Sequence, residues 1–403
     1  MGKHLAKRKS KLFSRYGILA LVGFICVVLI AVSAIFLLSR SNDPEPEPDV
    51  VMQTPELTPT PDLTPAPTPT AEPDEPEDDT PEPTPAPTPY IGPTNPLSGM
   101  PMDEEKTKNR PLAIVISNEP DALPANGVSQ VDILYEYVAY IGTTRMLGIF
   151  QDFTDVNKVG SIRSARHNVI QLAESYDALF LHHGRSERAR IEFLSSNVTH
   201  FDATMDYRDS DRIPGRRVAS PHNAVTSSAF FERAISRSQY SNVRLLHNDG
   251  YDQGMRFTDD ATPSGGNVAS QVITSYSDTR TSTFVYDSSK NIYHMSMQFG
   301  RMNRDLIDAN NNSKPEFSNI LVIKTRITTI DSGPDRLPDF ATVGSGDGYF
   351  IHGGRYIEIK WSRSSASRSS PYEYTNLDGT PLEMGRGRTF ISIVSAQREV
   401  DFS

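Results

Sequence analysis

The sequence predicts an exported α/β (or α+β) domain followed by a smaller β-rich domain, carried on a single transmembrane helix and a disordered proline-rich stalk. Three observations predict this: an uncharged run of 22 residues near the N terminus, a proline- and acid-rich stretch after it, and a strand–helix–strand pattern beyond residue 95 that gives way to short strands separated by turns.

The first sixteen residues are basic, with Lys3, Lys7, Arg8, Lys9, Lys11 and Arg15. Residues 17–38, from Gly17 to Leu38, carry no charge and are long enough to cross a bilayer core as a helix. Positive charge stays on the cytoplasmic side, so the predicted orientation is N terminus in the cytoplasm and the C-terminal domains outside, in the cell envelope. A cleaved signal peptide would have a shorter apolar run with a small-residue site, for which Val32-Ser33-Ala34 could serve, but the run continues through Leu38. A lipid-modified cysteine would have to be Cys26, which follows Phe24-Ile25 in mid-span. The run therefore reads as an uncleaved anchor.

Residues 39–94 read as a linker. Eighteen of the 30 prolines of the chain crowd between Pro44 and Pro96, and no Lys or Arg occurs from Ser41 to Pro101. Such a stretch buries too little apolar surface to offset its chain entropy and favours extended polyproline II backbone, in which about fifty residues reach roughly 150 Å. The linker also distorts the net charge of −10, because thirteen of the 50 acidic residues lie in it. The exported part is only mildly acidic and has no broad basic face, which argues against a nucleic-acid partner.

Residues 95–255 read as the α/β domain. Leu112–Ser117, Ile133–Val138 and Arg145–Gln151 have the β-branched or alternating character of strands, with Gly142 as a turn between the last two. Apolar positions at Ile162, Ala165, Val169, Leu172, Ala173 and Tyr176 predict a helix with Ser161 as its N-cap. Ala178–Leu181 reads as a buried strand and Ser227–Arg237 as a helix. Residues 256–403 read as β-rich, with strands at Phe284–Tyr286, Ile320–Ile323, Tyr349–Ile351, Tyr356–Trp361 and Thr389–Val394. The single cysteine lies in the span, so no disulfide, thiolate metal site or cysteine nucleophile is expected outside it.

The local anomaly is Gly160-Ser161-Ile162-Arg163-Ser164-Ala165-Arg166. Arginines at the positive end of a helix dipole call for a negative partner, and free N–H groups, hydroxyls and two guanidiniums there suit a phosphate or carboxylate. Ser161, Arg163, Ser164 and Arg166, with Arg145 at a strand start, are the candidate ligand-binding residues. The alternative is internal pairing with Glu136 or Asp152. His182 and His183 follow a buried strand, where α/β sheets gather ligands, and are candidate acid–base residues, with histidines satisfied inside the fold as the alternative. A polar loop containing Arg208, Arg212, Arg216 and Arg217 leads to His222 and Asn223, a third histidine candidate and a further ligand-binding candidate. No metal-ligand spacing, Walker loop, GxGxxG or GxSxG motif supports a metal or names a cofactor, which stays unknown.

Taken together, Asn95-Pro96-Leu97-Ser98-Gly99, Arg110-Pro111-Leu112-Ala113-Ile114, Asp132-Ile133-Leu134-Tyr135-Glu136, Gly160–Arg166, His182-His183-Gly184 and Pro221-His222-Asn223 resemble the YerB-like lipoprotein family of Gram-positive bacteria, a domain family of unknown function. Gly344–Tyr349, Ile359-Lys360-Trp361 and Asp378-Gly379 through Thr389 are similar to that family's β-rich second domain. The resemblance implies an envelope location and an α/β domain followed by a β-rich one, and brings no reaction. Three readings follow: a module binding an anionic cell-wall glycan, phosphorylated ligand or envelope protein; an enzyme on a phosphorylated or glycan substrate, with arginines as clamp and histidines as acid or base; or a structural partner without ligand.

Overall fold

The computed structural model describes residues 90–204 and 222–403. The expected tail and span, most of the linker, and the loop arginines Arg208, Arg212, Arg216 and Arg217 lie outside the described residues. Among the described residues, no helix is long and apolar enough to cross a membrane.

The helices are α1 (Glu104–Thr107), α2 (His167–Ser175), α3 (Glu187–Ser195) and α4 (Ser228–Ile235). The first strands are β1 (Leu112–Ser117), β2 (Ile133–Tyr140), β3 (Thr143–Phe150), β4 (Val159–Gly160), β5 (Leu179–His182), β6 (His200–Asp202) and β7 (Val225–Thr226). There follow β8 (Phe257–Thr258), β9 (Asn267–Val268), β10 (Gln271–Ser277), β11 (Arg280–Asp287), β12 (Ile292–Phe299), β13 (Met302–Asp305), β14 (Asn319–Thr325), β15 (Ile327–Ser332) and β16 (Asp335–Phe340). The last are β17 (Gly344–His352), β18 (Arg355–Arg363), β19 (Tyr372–Asn376), β20 (Met384–Gly385), β21 (Thr389–Ser395) and β22 (Val400–Phe402). The described chain is thus mostly β, with its few α-helices in the N-terminal part and a C-terminal part built of strands.

A mixed sheet in the order β19-β18-β17-β14-β21-β2-β3-β1-β5-β6 runs through the molecule. β21 lies parallel to both β14 and β2, so residues 95–255 and 256–403 contribute to one sheet. β1 is buried at every position, as its Leu-Ala-Ile-Val-Ile-Ser run requires of a strand covered on both faces. One face, through Ile114, Ile116, Met146 and Phe390, meets Phe284, Met295 and Met297 of a second sheet, β13-β12-β11-β10-β22. The other, through Val115, Tyr135, Leu147 and Ile149, is covered by Val169, Ile170, Leu172 and Ala173 of α2. Each such fully buried large side chain contributes about 2 kcal/mol to this packing.

The expected strands are present, most of them extended by a few residues, and Ser227 caps α4, accepting from Phe230 N at 3.4 Å. The helix expected from Ser161 begins instead at His167. The backbone groups of residues 161–165 are taken by neighbouring strands and loops, so they cannot enter an i→i−4 ladder. α3 was not expected: it buries only Ala189 completely, too thin an apolar stripe to read at helical period.

Candidate functional site

The segment from Gly160 to Arg166 is an extended strap across the carboxyl ends of β1 and β5. Val159 and Gly160 pair with β7, and a Cβ at Gly160 would lie 2.7 Å from the Ala224 carbonyl, at a φ of 149°. Glycine is therefore required there. Ser117 N donates to Ser161 O at 2.8 Å and Arg163 N to Val115 O at 2.9 Å, fixing the strap to β1. Ile162 N bonds Ala224 O at 2.7 Å, and the Ser161 hydroxyl donates to the His222 carbonyl. His183 N donates to Arg163 O and Ala165 N to Gly184 O, each at 3.0 Å, which binds the other side of the strap to the end of β5.

Three arginines meet under this strap. Arg145 on β3 stands opposite Ser117 of β1 and Tyr137 of β2, so the three side chains share one face of the sheet. Arg145 is 4 % exposed, Arg166 5 % and Arg163 9 %. Arg145 Nη1 donates to Ser164 O at 2.8 Å, and Arg166 Nη1 donates to Ala165 O at 3.1 Å while its guanidinium lies 5.0 Å from the Tyr140 ring centre. Arg163 Nη2 pairs with Glu119 Oε2 at 2.5 Å. The Nε atoms of all three arginines, the Tyr137 hydroxyl and the Ser117 hydroxyl are buried without a hydrogen-bond partner.

This arrangement is electrostatically costly as it stands. Burial, with Arg166 and Arg163 nearby, pushes Arg145 down to about 9, and burial also lowers Arg166. Burial pushes the Tyr137 phenol up to about 12, against the pull of Arg145 and Arg166. Arg166 is the N-cap residue of α2, whose first turn holds no acidic side chain, so helix dipole and guanidinium have the same sign. Buried polar atoms in native folds are nearly always satisfied, so this concentration of unmet donors sets the strap apart from an ordinary packed interior.

The internal partners considered from the sequence are engaged elsewhere. Glu136 is fully buried on the opposite face, where it takes Asn118 Nδ2 at 2.8 Å, Thr144 Oγ1 and Ser282 Oγ at 2.6 Å each, and Arg280 Nη2. Asp152 pairs with Lys106 at 2.6 Å. Glu119, which sequence reasoning missed together with Ser117, Tyr137 and Tyr140, is the carboxylate that reaches the cluster. The alternation of β2 was the available signal for Tyr137.

The structure separates the histidines. His182 is fully buried, with Nδ1 2.8 Å from Gly184 O and Nε2 3.1 Å from His200 Nδ1, and it stacks on Phe193 at 5.2 Å. Burial pushes it down to about 4. Both of its nitrogens are used inside the fold, which leaves neither for acid–base work on a ligand. His183 is half-buried beside the strap through its backbone bond to Arg163. His222 is half-buried with Nδ1 3.5 Å from Glu119 Oε2, and the neighbouring Asn223 is buried with Oδ1 unbonded. Ser164 contributes its carbonyl to Arg145. Arg145, Ser161, Arg163, Ser164, Arg166, His222 and Asn223 thus lie together, His183 lies at the margin, and His182 turns toward α3. Among the described residues, no group of three or more His, Cys, Asp or Glu side chains could hold a metal ion.

Residues 97–241 match the family model described as "Protein of unknown function (DUF3048) N-terminal domain", and residues 272–391 match its C-terminal domain. The chain is 30% identical over 308 residues to "Putative lipoprotein YerB" of Bacillus subtilis (strain 168), covering 74% of this chain and 85% of that protein. The crystal structure of YerB from Bacillus subtilis superposes with a TM-score of 0.64 at 24% identity, covering 77% of this chain and 99% of that one, which shows a common fold. With both parts matched in order and the site strap inside the first of them, the chain belongs to the DUF3048 family, of which the YerB-like lipoproteins are part.

Proposed function

We propose that this is a membrane-anchored cell-envelope protein whose N-terminal part binds an oxyanionic envelope component at the strap between β1 and β5. The observation that carries the reading is the set of three buried guanidiniums with one carboxylate between them, each with an unbonded Nε. Internal pairing would leave such groups satisfied; a ligand oxyanion supplies the missing acceptors. The related protein's name as a lipoprotein, together with the apolar run at residues 17–38, supports placing the folded part outside the membrane. The occupant would be an anionic cell-wall glycan, a phosphorylated ligand or an acidic segment of an envelope protein.

A catalytic version of this reading keeps His222, next to Glu119, as its acid or base, because His182 has no nitrogen to offer. The test is thermal unfolding of the full chain in detergent with methyl phosphate, acetate and a phosphorylated glycan. A rise in Tm that disappears in Arg145→Met/Arg166→Met supports the site. No rise with any of these anions contradicts it.

A further inference from the structure

On the reading just proposed, the charges and donors left unmet at the strap narrow the class of ligand. Arg163 has Glu119, but no carboxylate among the described residues forms an ion pair with Arg145 or Arg166. Two further acids on that side pair with neither: Asp335 accepts from the Tyr140 hydroxyl at 3.2 Å and reaches Arg166 only through space, and Asp339 accepts from His167 Nε2 at 2.9 Å and Asn168 Nδ2 at 3.0 Å. The guanidiniums of Arg145 and Arg166 are thus left without a paired carboxylate among the described residues. The unbonded donors are the Nε atoms of Arg145, Arg163 and Arg166 and the hydroxyls of Tyr137 and Ser117.

A carboxylate brings one negative charge and two oxygens. A phosphomonoester brings close to two charges at neutral pH and three terminal oxygens, each a strong acceptor. We propose that the strap site takes the dianionic phosphate of a phosphomonoester, with Arg145 and Arg166 neutralising it and the Tyr137 and Ser117 hydroxyls bonding the oxygens left over. The row Ser117–Arg145–Tyr137 runs across three adjacent strands, about 10 Å in all, so the donors come from rigid backbone. Tyr137 serves as a neutral donor, because burial keeps its proton on.

The experiment compares methyl phosphate with acetate by calorimetry on the full chain in detergent, from pH 5 to pH 7.5. The second ionisation of a phosphomonoester falls near pH 6, so affinity for methyl phosphate should rise about tenfold across the range. The titratable and charged groups facing the site are Glu119, His183, His222, Tyr137, Tyr140, Asp335 and the three arginines. Histidine is the side-chain type that ordinarily titrates inside the window, so the rise should persist in His183→Gln/His222→Gln. Acetate should bind at least about tenfold more weakly and without that rise, as expected for one charge and two acceptors. Tyr137→Phe should weaken methyl phosphate about tenfold, the scale of one charge-assisted hydrogen bond, without lowering Tm.

Acetate binding as tightly as methyl phosphate, or an affinity for methyl phosphate that is flat with pH, overturns the dianion assignment while leaving an anion site in place. Failure of both anions to bind overturns the site as well.

Discussion

Tyr137 and Arg145 face each other across the β2–β3 ladder, both buried, and neither the phenol oxygen nor the guanidinium Nε has a partner. Two strong donors set side by side in a well-packed sheet, both unmet, are a standing cost to the fold.

Because the phenol oxygen has no partner, Tyr137→Phe removes a desolvated hydroxyl and keeps the ring. The unliganded chain should be unchanged or more stable by up to about 1 kcal/mol. Urea unfolding measures this, and a clear loss of stability would mean that the hydroxyl has a structural partner.

Glu136 and Arg280 should behave in the opposite way. Both are buried, they pair with each other, and Glu136 takes further bonds from Asn118, Thr144 and Ser282. Glu136→Gln leaves Arg280 without its counter-charge and should cost about 3–5 kcal/mol. A loss under about 1 kcal/mol in urea would show the pair to be less committed than its burial indicates.

Glu119→Gln removes the carboxylate that reaches the arginines, so the cluster becomes more positive. Affinity for methyl phosphate should rise several-fold, with some loss of unliganded stability from the broken pair to Arg163. Weaker phosphate binding in this variant would mean that Glu119 orders the strap more than it competes with the ligand.

Stability should fall as pH drops from 7 to 5. Burial lowers His167, His200 and His352, and pushes His182 down to about 4. In the unfolded chain these imidazoles take protons near pH 6.5, whereas in the fold they take them later. The unfolded state therefore binds more protons in this window, and acidification favours it. His182 alone accounts for about 2 kcal/mol at pH 5. His182→Phe should flatten the profile; an equally steep one in the variant would assign the dependence elsewhere.

Cys26→Ser should leave the chain in the membrane fraction, because the expected anchor is the apolar run of residues 17–38. Release into the soluble fraction would mean that lipid on the cysteine holds it.

The sheet was legible where side chains follow simple periods. β1 has the expected bounds, and β2, β3, β14 and β21 lie within a few residues of them. The strands at Ile327–Ser332 and Met302–Asp305 were not, since the second is exposed throughout, the first buries only Ser332 completely, and both pair at the edges of small sheets. At the site, Arg145, Arg163 and Arg166 could be named from charge in an apolar context. Their convergence depends on the strap lying along β1, a long-range pairing that no local pattern encodes. His182 follows the structural alternative: its place at a strand end suits a ligand, but Phe193 and His200, from α3 and β6, close over it.

The most direct test of the central claim is urea unfolding of the full chain against Arg145→Met/Arg166→Met, each with and without saturating methyl phosphate. If these arginines are held for a ligand, the variant is no less stable than the parent to within about 1 kcal/mol without phosphate, since two unpaired buried charges are gone. The parent alone then gains stability with phosphate, about 2.7 kcal/mol at a hundredfold excess over Kd. A variant several kcal/mol less stable, with no effect of phosphate on the parent, would contradict the claim and make the cluster part of what holds the fold together.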